Sequence, residues 1–450
     1  MSNITLAWQN RTDEGTLSGG SWLSTLPLTN LQNRQVQKVA RSSAATTAST
    51  QFQIDLGQPR AIGVVALVVH NISVSGYARI SGSDSAAAFI NLLTFPADFT
   101  NAAWTKTNVT VTANATTAPD GTTTATKLAA TAGAATSVSQ TATATATTHT
   151  ASFFIKQGSA TTAGNRFRIT NQTTSTVLLS VTVNYGTGAI TYVTGSSGAT
   201  MTSLSNGWWK LTLYASSGIT IGNTLSVAPM FLGSTESAGE FAYIWNPELL
   251  PSSGVIYDGD WNAVWPSGMI PQDLLEWEED NFWLGTLSAN ARSGYQSPYI
   301  SLLASAQSLR YWRVEVADAS NSDGYVQIGR LFMASTWVPS VNYSYGAGLG
   351  YQDPTPIDTS LSGAEYFDVR SRFRVFNFTL QYILNTEAYS YALELQRLAG
   401  TSGEVLVIPD SADTTNLPTR SFVGRLLQLG AITQPQPTAF TAQFQIKELL

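Results

Sequence analysis

Cysteine is absent from the 450 residues, which excludes disulfides, thiolate metal sites and a cysteine nucleophile. Histidine is almost absent: His70 and His149 are too few for a histidine metal cage, and His70, between an apolar run and Asn71, reads as a turn residue. No His-Glu-x-x-His, Gly-x-Ser-x-Gly or phosphate-loop pattern occurs. Charged residues make up only 12%, against about a quarter in ordinary soluble proteins. With a net charge of −6 and no block of Lys or Arg to neutralise a run of phosphates, nucleic acid is not an expected partner. The longest apolar run, from Ala61 to Val69, contains Gly63 and is under half of the roughly 20 residues that a membrane helix needs. No membrane span is expected. Met1-Ser-Asn-Ile-Thr5 lacks the basic and then apolar regions of a secretory signal, so synthesis in the cytoplasm is the expectation.

What is present is 43% hydrophobic and 10% aromatic, in a chain long enough for two or three domains with cores of their own. With so little charge, Ser, Thr, Asn, Gln and Gly must wet the surface, which suits sheets better than helices. A mainly β fold is therefore predicted. Composition shifts near Ile90. Residues 91–150 hold 20 Thr and 15 Ala, and residues 91–250 only 11 charged side chains. Strand-like segments such as Ser152–Lys156, Arg166–Thr170, Val177–Val183, Gly207–Tyr214 and Phe241–Trp245 punctuate this region as in a sandwich of short antiparallel strands.

On either side, Gln51–Gly57 and Leu309–Val316 alternate as strands, and Ala61–Val69 reads as a strand buried on both faces. Residues 1–90 and 252–338 are accordingly predicted to form one domain, with residues 91–251 inserted into one of its loops. Residues 339–450 form a third module. In it, Tyr343–Tyr351 reads as a linker or oligomer-contact arm, and Arg374–Tyr382 as a strand. Thr386–Ala399 reads as a helix with Ala388, Tyr391, Ala392, Leu395 and Leu398 on one face and Gly400 at its end. Its element order predicts a β-barrel or α+β module with one covering helix.

Several motifs carry resemblances. Gln53-Ile-Asp-Leu-Gly57, Tyr311–Val316 and Gly324–Gly329 resemble discoidin-like jelly rolls. Together with Asn33–Arg41, Val69-His-Asn71, Tyr257–Trp261 and Leu275–Trp283, the arrangement resembles a group of tailed-bacteriophage tail proteins. Asn91–Lys106, Ala118-Pro-Asp-Gly-Thr122, Gly207–Lys210 and Tyr243-Ile-Trp245 resemble the carbohydrate-binding-type jelly rolls of phage tails. Gly403–Asp410 and Arg420–Arg425 are similar to tail-tip ring modules related to the tail-tube fold, mainly in element order. The resemblance implies two jelly-roll sandwiches, one inserted in the other, plus the C-terminal module. It further implies a structural component of a virion tail tip or baseplate, made in the host cytoplasm. Expected partners are the tail tube, the tail hub, other copies in a ring, and host cell-surface glycans contacted through the insertion. A dedicated receptor-binding adhesin and a polysaccharide-cleaving tail enzyme are the alternatives.

Individual sites sharpen this. Glu276, Glu278, Glu279 and Asp280, beside Trp277 and Trp283, form the densest acidic cluster, yet carboxylates on one strand stand side by side rather than opposed across a glycosidic bond. No catalytic residue, metal site or cofactor is predicted, and the chain is not expected to be an enzyme. Asp258 and Asp260 around Gly259 suit an Asp-closed turn better than a calcium site. Sugar binding needs an aromatic face and nearby hydroxyls or amides but no charge, which makes Trp104, Trp209 and Trp245 the candidate platform residues. Trp208 and Trp209 must point to opposite faces of a strand. Phe376, Phe378 and Tyr382, alternating along one strand, are the candidate subunit-interface residues.

Overall fold

The computed structural model describes residues 2–131, 136–159, 166–232, 238–251, 256–265, 298–413 and 416–450. Glu276, Glu278, Glu279, Asp280, Trp277 and Trp283 lie outside them. The chain is mainly β, in sandwich-like sheets, and falls into two compact units: Met1–Gly76, Ala263–Leu309 and Asp318–Leu450, and Tyr77–Asn262 with Arg310–Ala317.

In the first unit, the 19-residue strand Phe52–His70 pairs antiparallel with Gln327–Ala334. Ile62 to Val68 are buried without interruption, as the unbroken apolar run requires. A second sheet has the order Thr336–Trp337, Thr5–Trp8, Val405–Ile408, Phe422–Leu426, Ala439–Glu448, Phe373–Ile383, Gly348–Gln352. The N-terminal strand thus lies beside the strand Val405–Ile408, a pairing of distant segments that the sequence division does not contain. Alternation sorts the side chains of this sheet to two cores. Ala7, Leu406, Ile408 and Val423 pack with Val64, Ala66, Phe332 and Ala334 of the first sheet. Leu6, Val405, Val407, Phe422 and Phe444 pack with a helix on the other side. Among the described residues no sheet closes on itself, so of the two forms expected for the C-terminal module the α+β one is found, an open sheet with a covering helix.

That helix runs over residues 385–399, with a π turn at Ala388–Ala392 between Asn385–Glu387 and Leu393–Ala399. Leu395 and Ala399 join Ala388 and Ala392 in the core, while Tyr391 and Leu398, expected on the same face, are exposed. Gly400, at φ +52°, ends the helix as predicted.

The proposed interface strand needs correction. Phe376 and Phe378 are buried within the chain, stacked on each other and capped by the ring of Tyr343. A bulge between Leu380 and Ile383 puts Tyr382 at φ +61° and turns it outward, and Ile383 takes the inward place that simple alternation assigns to Tyr382. Arg374, at the start of this strand, is buried against Glu448.

The second unit is a sandwich of two six-stranded sheets. One has the order Ala199–Ser203, Trp208–Ala215, His149–Gln157, Phe241–Pro251, Ala125–Ala130, Val109–Thr116. The other has the order Ile190–Thr194, Thr176–Val183, Arg166–Asn171, Thr224–Leu232, Thr136–Thr143, Thr105–Thr107. Phe153, Ile155, Phe167, Val181, Leu211, Val227 and Ile244 fill the space between them. The Thr-rich composition resolves into strands with an inner apolar face: Val109 and Val111 pack inward while Thr110 and Thr112 face out. Leu92 N donates to Leu249 O (2.9 Å), and Leu249 N to Asn91 Oδ1 (2.9 Å), which joins the segments around residues 91 and 249.

Two buried charges set testable energetics. Arg330 is inaccessible to solvent. Burial opposes its charge, but the carboxylates of Asp13 and Glu404 outweigh that and hold its pKa above the ordinary value. Replacing Arg330 by Met should lower the unfolding free energy of its unit by about 3–5 kcal/mol, because Glu404 is then buried without a counter-charge; urea denaturation reads this, and an unchanged midpoint would contradict it. His149 is fully buried, neither ring nitrogen has a hydrogen-bond partner among the described residues, and burial lowers its pKa. The unfolded chain therefore takes up the proton first as pH falls through about 6.5, so stability declines below that pH, by at most about 1.4 kcal/mol per pH unit. A His149→Phe variant should lose this part of the acid sensitivity in thermal melts between pH 7 and 5.

Candidate functional site on the sandwich sheet

The sheet containing His149–Gln157 has a packed inner face, so any ligand site on it must use the outer face. Strand alternation assigns Phe154, Lys156, Trp208, Lys210, Tyr243 and Trp245 outward, opposite Phe153, Ile155, Trp209, Leu211, Ala242 and Ile244. Part of this outer face is itself covered. Phe154, Trp208, Trp245, Trp261 and Ala118 form a second apolar cluster.

The three candidate tryptophans fall differently from expectation. Trp104 is 1% exposed, with Nε1 donating to Phe95 O (2.9 Å) and its ring 4.7 Å from Phe99. Trp245 is 6% exposed, with Nε1 donating to Thr124 Oγ1 (3.0 Å) and its ring against Phe154 and Trp261. Neither presents a ring to solvent, because buried indoles are held by both packing and an N–H partner. Trp208 and Trp209 do point to opposite faces, and both faces are covered. Trp208 is buried with Nε1 on Thr117 O (3.0 Å), and Trp209 is half-buried against the inner core. The ring of Trp209 lies over Gly188, whose φ of +70° suits glycine and where a Cβ would come within 2.6 Å of the indole.

The turn Ala118-Pro-Asp-Gly-Thr122 also has a structural explanation. Asp120 accepts from Thr122 N (3.0 Å) and Oγ1 (2.6 Å), and burial raises its pKa. Asp260 faces Lys210 Nζ at 3.5 Å. The side chain of Asp258 lies outside the described residues. Behind the covered cluster, Arg79 donates to both oxygens of Glu248 (3.0 and 3.1 Å) and lies 3.6 Å from Glu315, a buried network that ties three strands. His70, outside this unit, accepts from Ile72 N through Nδ1 (3.2 Å), consistent with its reading as a turn residue.

The open part of the outer face is a cross-strand row that sequence reasoning missed. Trp208 pairs with Lys156, Lys156 with Tyr243, Tyr243 with Lys127 and Lys127 with Thr112. One step further, Phe241 packs edge-on to Tyr243 at 5.4 Å, and Lys127 Nζ sits 3.9 Å from the Phe241 ring centre. Among the described residues neither Lys127 nor Lys156 has an ion-pair partner. The segments do alternate in the sequence, but which of them become neighbours depends on strand order, which alternation does not encode.

Replacing Trp104 or Trp245 by Ala should lower stability by about 3–5 kcal/mol as a cavity effect, so any binding loss in these variants would accompany a lowered melting temperature. Unchanged melting of either variant, followed by circular dichroism, would contradict this packing role.

No family model and no curated protein matches this chain. Among solved structures, it is similar in part to the enzymatically active domain of bacteriophage CBA120 tailspike protein 4, at 18% identity and a TM-score of 0.24, over 36% of this chain and 21% of that one. It is also similar in part to the CBM22-1–GH10 modules of Clostridium thermocellum xylanase 10B, complexed with xylohexaose, at 12% identity and a TM-score of 0.20, over 41% and 30% of the respective chains.

Proposed function

We propose that this protein is a structural, non-enzymatic component of a bacteriophage tail tip or baseplate that associates with its own copies and contacts host-surface glycans through its sandwich unit. In this reading residues 1–90 and 252–338, 91–251, and 339–450 are the three evolutionary modules, the copies form a ring, and tail tube and hub proteins are the neighbours. The motif resemblances support the virion setting.

The observation that carries self-association is the segment from Tyr345 to Arg372, in which no residue is buried. Its strand Gly348–Gln352 pairs with Phe373–Ile383, and Ile357–Thr359 with Glu365–Phe367 form a separate two-stranded hairpin. Such a hairpin is marginal alone in water. Tyr345, Tyr351, Ile357, Leu361, Tyr366 and Phe367 are each more than half exposed. At about 100–200 Å² per side chain they exceed the few hundred Å² of apolar surface that monomers ordinarily leave open. Ile357 opposes Phe367 on one face of the hairpin, and Tyr366 lies on the other, so two protein walls are needed to cover it. The interface role first assigned to Phe376 and Phe378, both buried within the chain, therefore moves to this preceding arm, while Tyr382, more than half exposed, remains a candidate beside it.

Sedimentation of the full chain should reveal an oligomer, and shortening residues 356–369 to a Gly-Ser link should yield a monomer with unchanged melting. The shortened chain should also fail to enter virions in a complementation assay. A wild-type monomer at every concentration, or normal virion entry by the shortened chain, would overturn the proposal.

A further inference from the structure

We propose that the row Lys156–Tyr243–Lys127, with Phe241 beside it, binds acidic saccharides, those bearing carboxylate or phosphate groups. This rests on the reading that the sandwich contacts glycans, and it specifies which class.

Cations are few in this region. Residues 91–250 contain four lysines, besides Arg166 and Arg168 on the other sheet. Lys106 donates to the carbonyls of Phe99, Thr100 and Asn101, and Lys210 lies within reach of Asp260 and Gly259 O. The other two, Lys127 and Lys156, flank one tyrosine on three neighbouring strands. Two strand spacings separate them, about 10 Å between backbones. Two like charges held this close without an anion gain nothing for folding. Lys127 rests on Phe241, and Lys156 Nζ is 6.0 Å from the Trp208 ring centre. Such exposed cation–π contacts contribute about 0.5–1 kcal/mol and leave ammonium donors available.

The row also has what a sugar requires. Tyr243 and Phe241 are half-buried aromatics that supply ring surface, and the exposed Thr110 and Thr112 hydroxyls supply neutral hydrogen bonds at its end. An acidic sugar seated over Tyr243 would place its anionic group between two ammonium ions, each a compact charge on a flexible stem that tolerates either carboxylate or phosphate.

The test titrates the full-length protein with tetragalacturonate, with its fully methyl-esterified and hence uncharged counterpart, and with a glycerol-phosphate oligomer. At least one acidic probe should bind, more weakly as salt is raised. The Lys127→Gln, Lys156→Gln double variant should weaken that binding about tenfold or more with unchanged melting. Carboxylate and phosphate sources are separated by which acidic probe binds. If neither acidic probe binds, or if the double variant binds as wild type does, the proposal is overturned. If the ester binds as tightly as the acid, the acidic class fails while the glycan reading stands. That reading fails separately if the protein adsorbs equally to host cells before and after periodate oxidation of their surface sugars.

Discussion

A guanidinium with no access to water must have its charge answered inside the protein, and Arg330 sets this requirement for the first unit. Its nitrogens donate to Asp13 (2.7 and 2.8 Å), to Glu404 (3.0 and 2.6 Å) and to Leu31 O (3.2 Å). Asn10 completes the arrangement, donating to Glu404 Oε2 and Leu331 O while accepting from Met333 N. These partners come from the N-terminal segment, the strand carrying Arg330 and the segment after the helix. No one of them can leave its place without stranding a charge, which costs far more than an ordinary surface contact. The position of Thr5–Trp8 between Thr336–Trp337 and Val405–Ile408 is consistent with this anchor. Arg374 with Glu448 repeats the device between the adjacent strands Phe373–Ile383 and Ala439–Glu448.

Much of the fold was legible wherever one local rule acts. Ile62–Val68 is buried because an unbroken apolar run has no polar face to offer water, and Gly400 ends its helix because an L side chain resists that backbone angle. The reading failed at the edge of the helix stripe and where a bulge changes the phase of a strand. Tyr391 and Leu398 sit at the edge of the stripe formed by Ala388, Ala392, Leu395 and Ala399 and stay exposed, and the bulge before Ile383 turns Tyr382 out. The bulge has no local signal such as proline in Leu380–Ile383, and which edge residues of the helix are covered depends on the sheet packed against it. The pairing of Thr5–Trp8 with Val405–Ile408 joins segments some 400 residues apart in sequence, and no periodicity can reveal a partner at that separation.

The candidate site was legible only in its chemistry. Aromatic residues in a region of low charge do gather on one sheet face, but the largest of them are covered. Trp261, which follows the segment read as the insertion, packs against Trp245, and Trp208 is held by the carbonyl of Thr117. A tryptophan is large enough that burial usually wins unless geometry forbids it, so composition favours indoles as candidate platforms while packing removes them.

What packing leaves open is decided by charge. In a chain with 12% charged residues, the buried cations Arg79, Arg330 and Arg374 each sit against carboxylates that make burial tolerable. Lys127 and Lys156 are not buried and so need no such partner for folding; they keep their ammonium groups at a face whose remaining neighbours are aromatic or hydroxyl-bearing. The same scarcity gives the arm from Tyr345 to Arg372 its character. Its cations Arg370 and Arg372 pair with Asp368 and Asp353, and beside the remaining carboxylates Asp358 and Glu365 it exposes large apolar side chains. Low overall charge therefore distinguishes the two contacts proposed for this chain: one through exposed apolar side chains of the arm, and one through two lysines that, among the described residues, have no ion-pair partner.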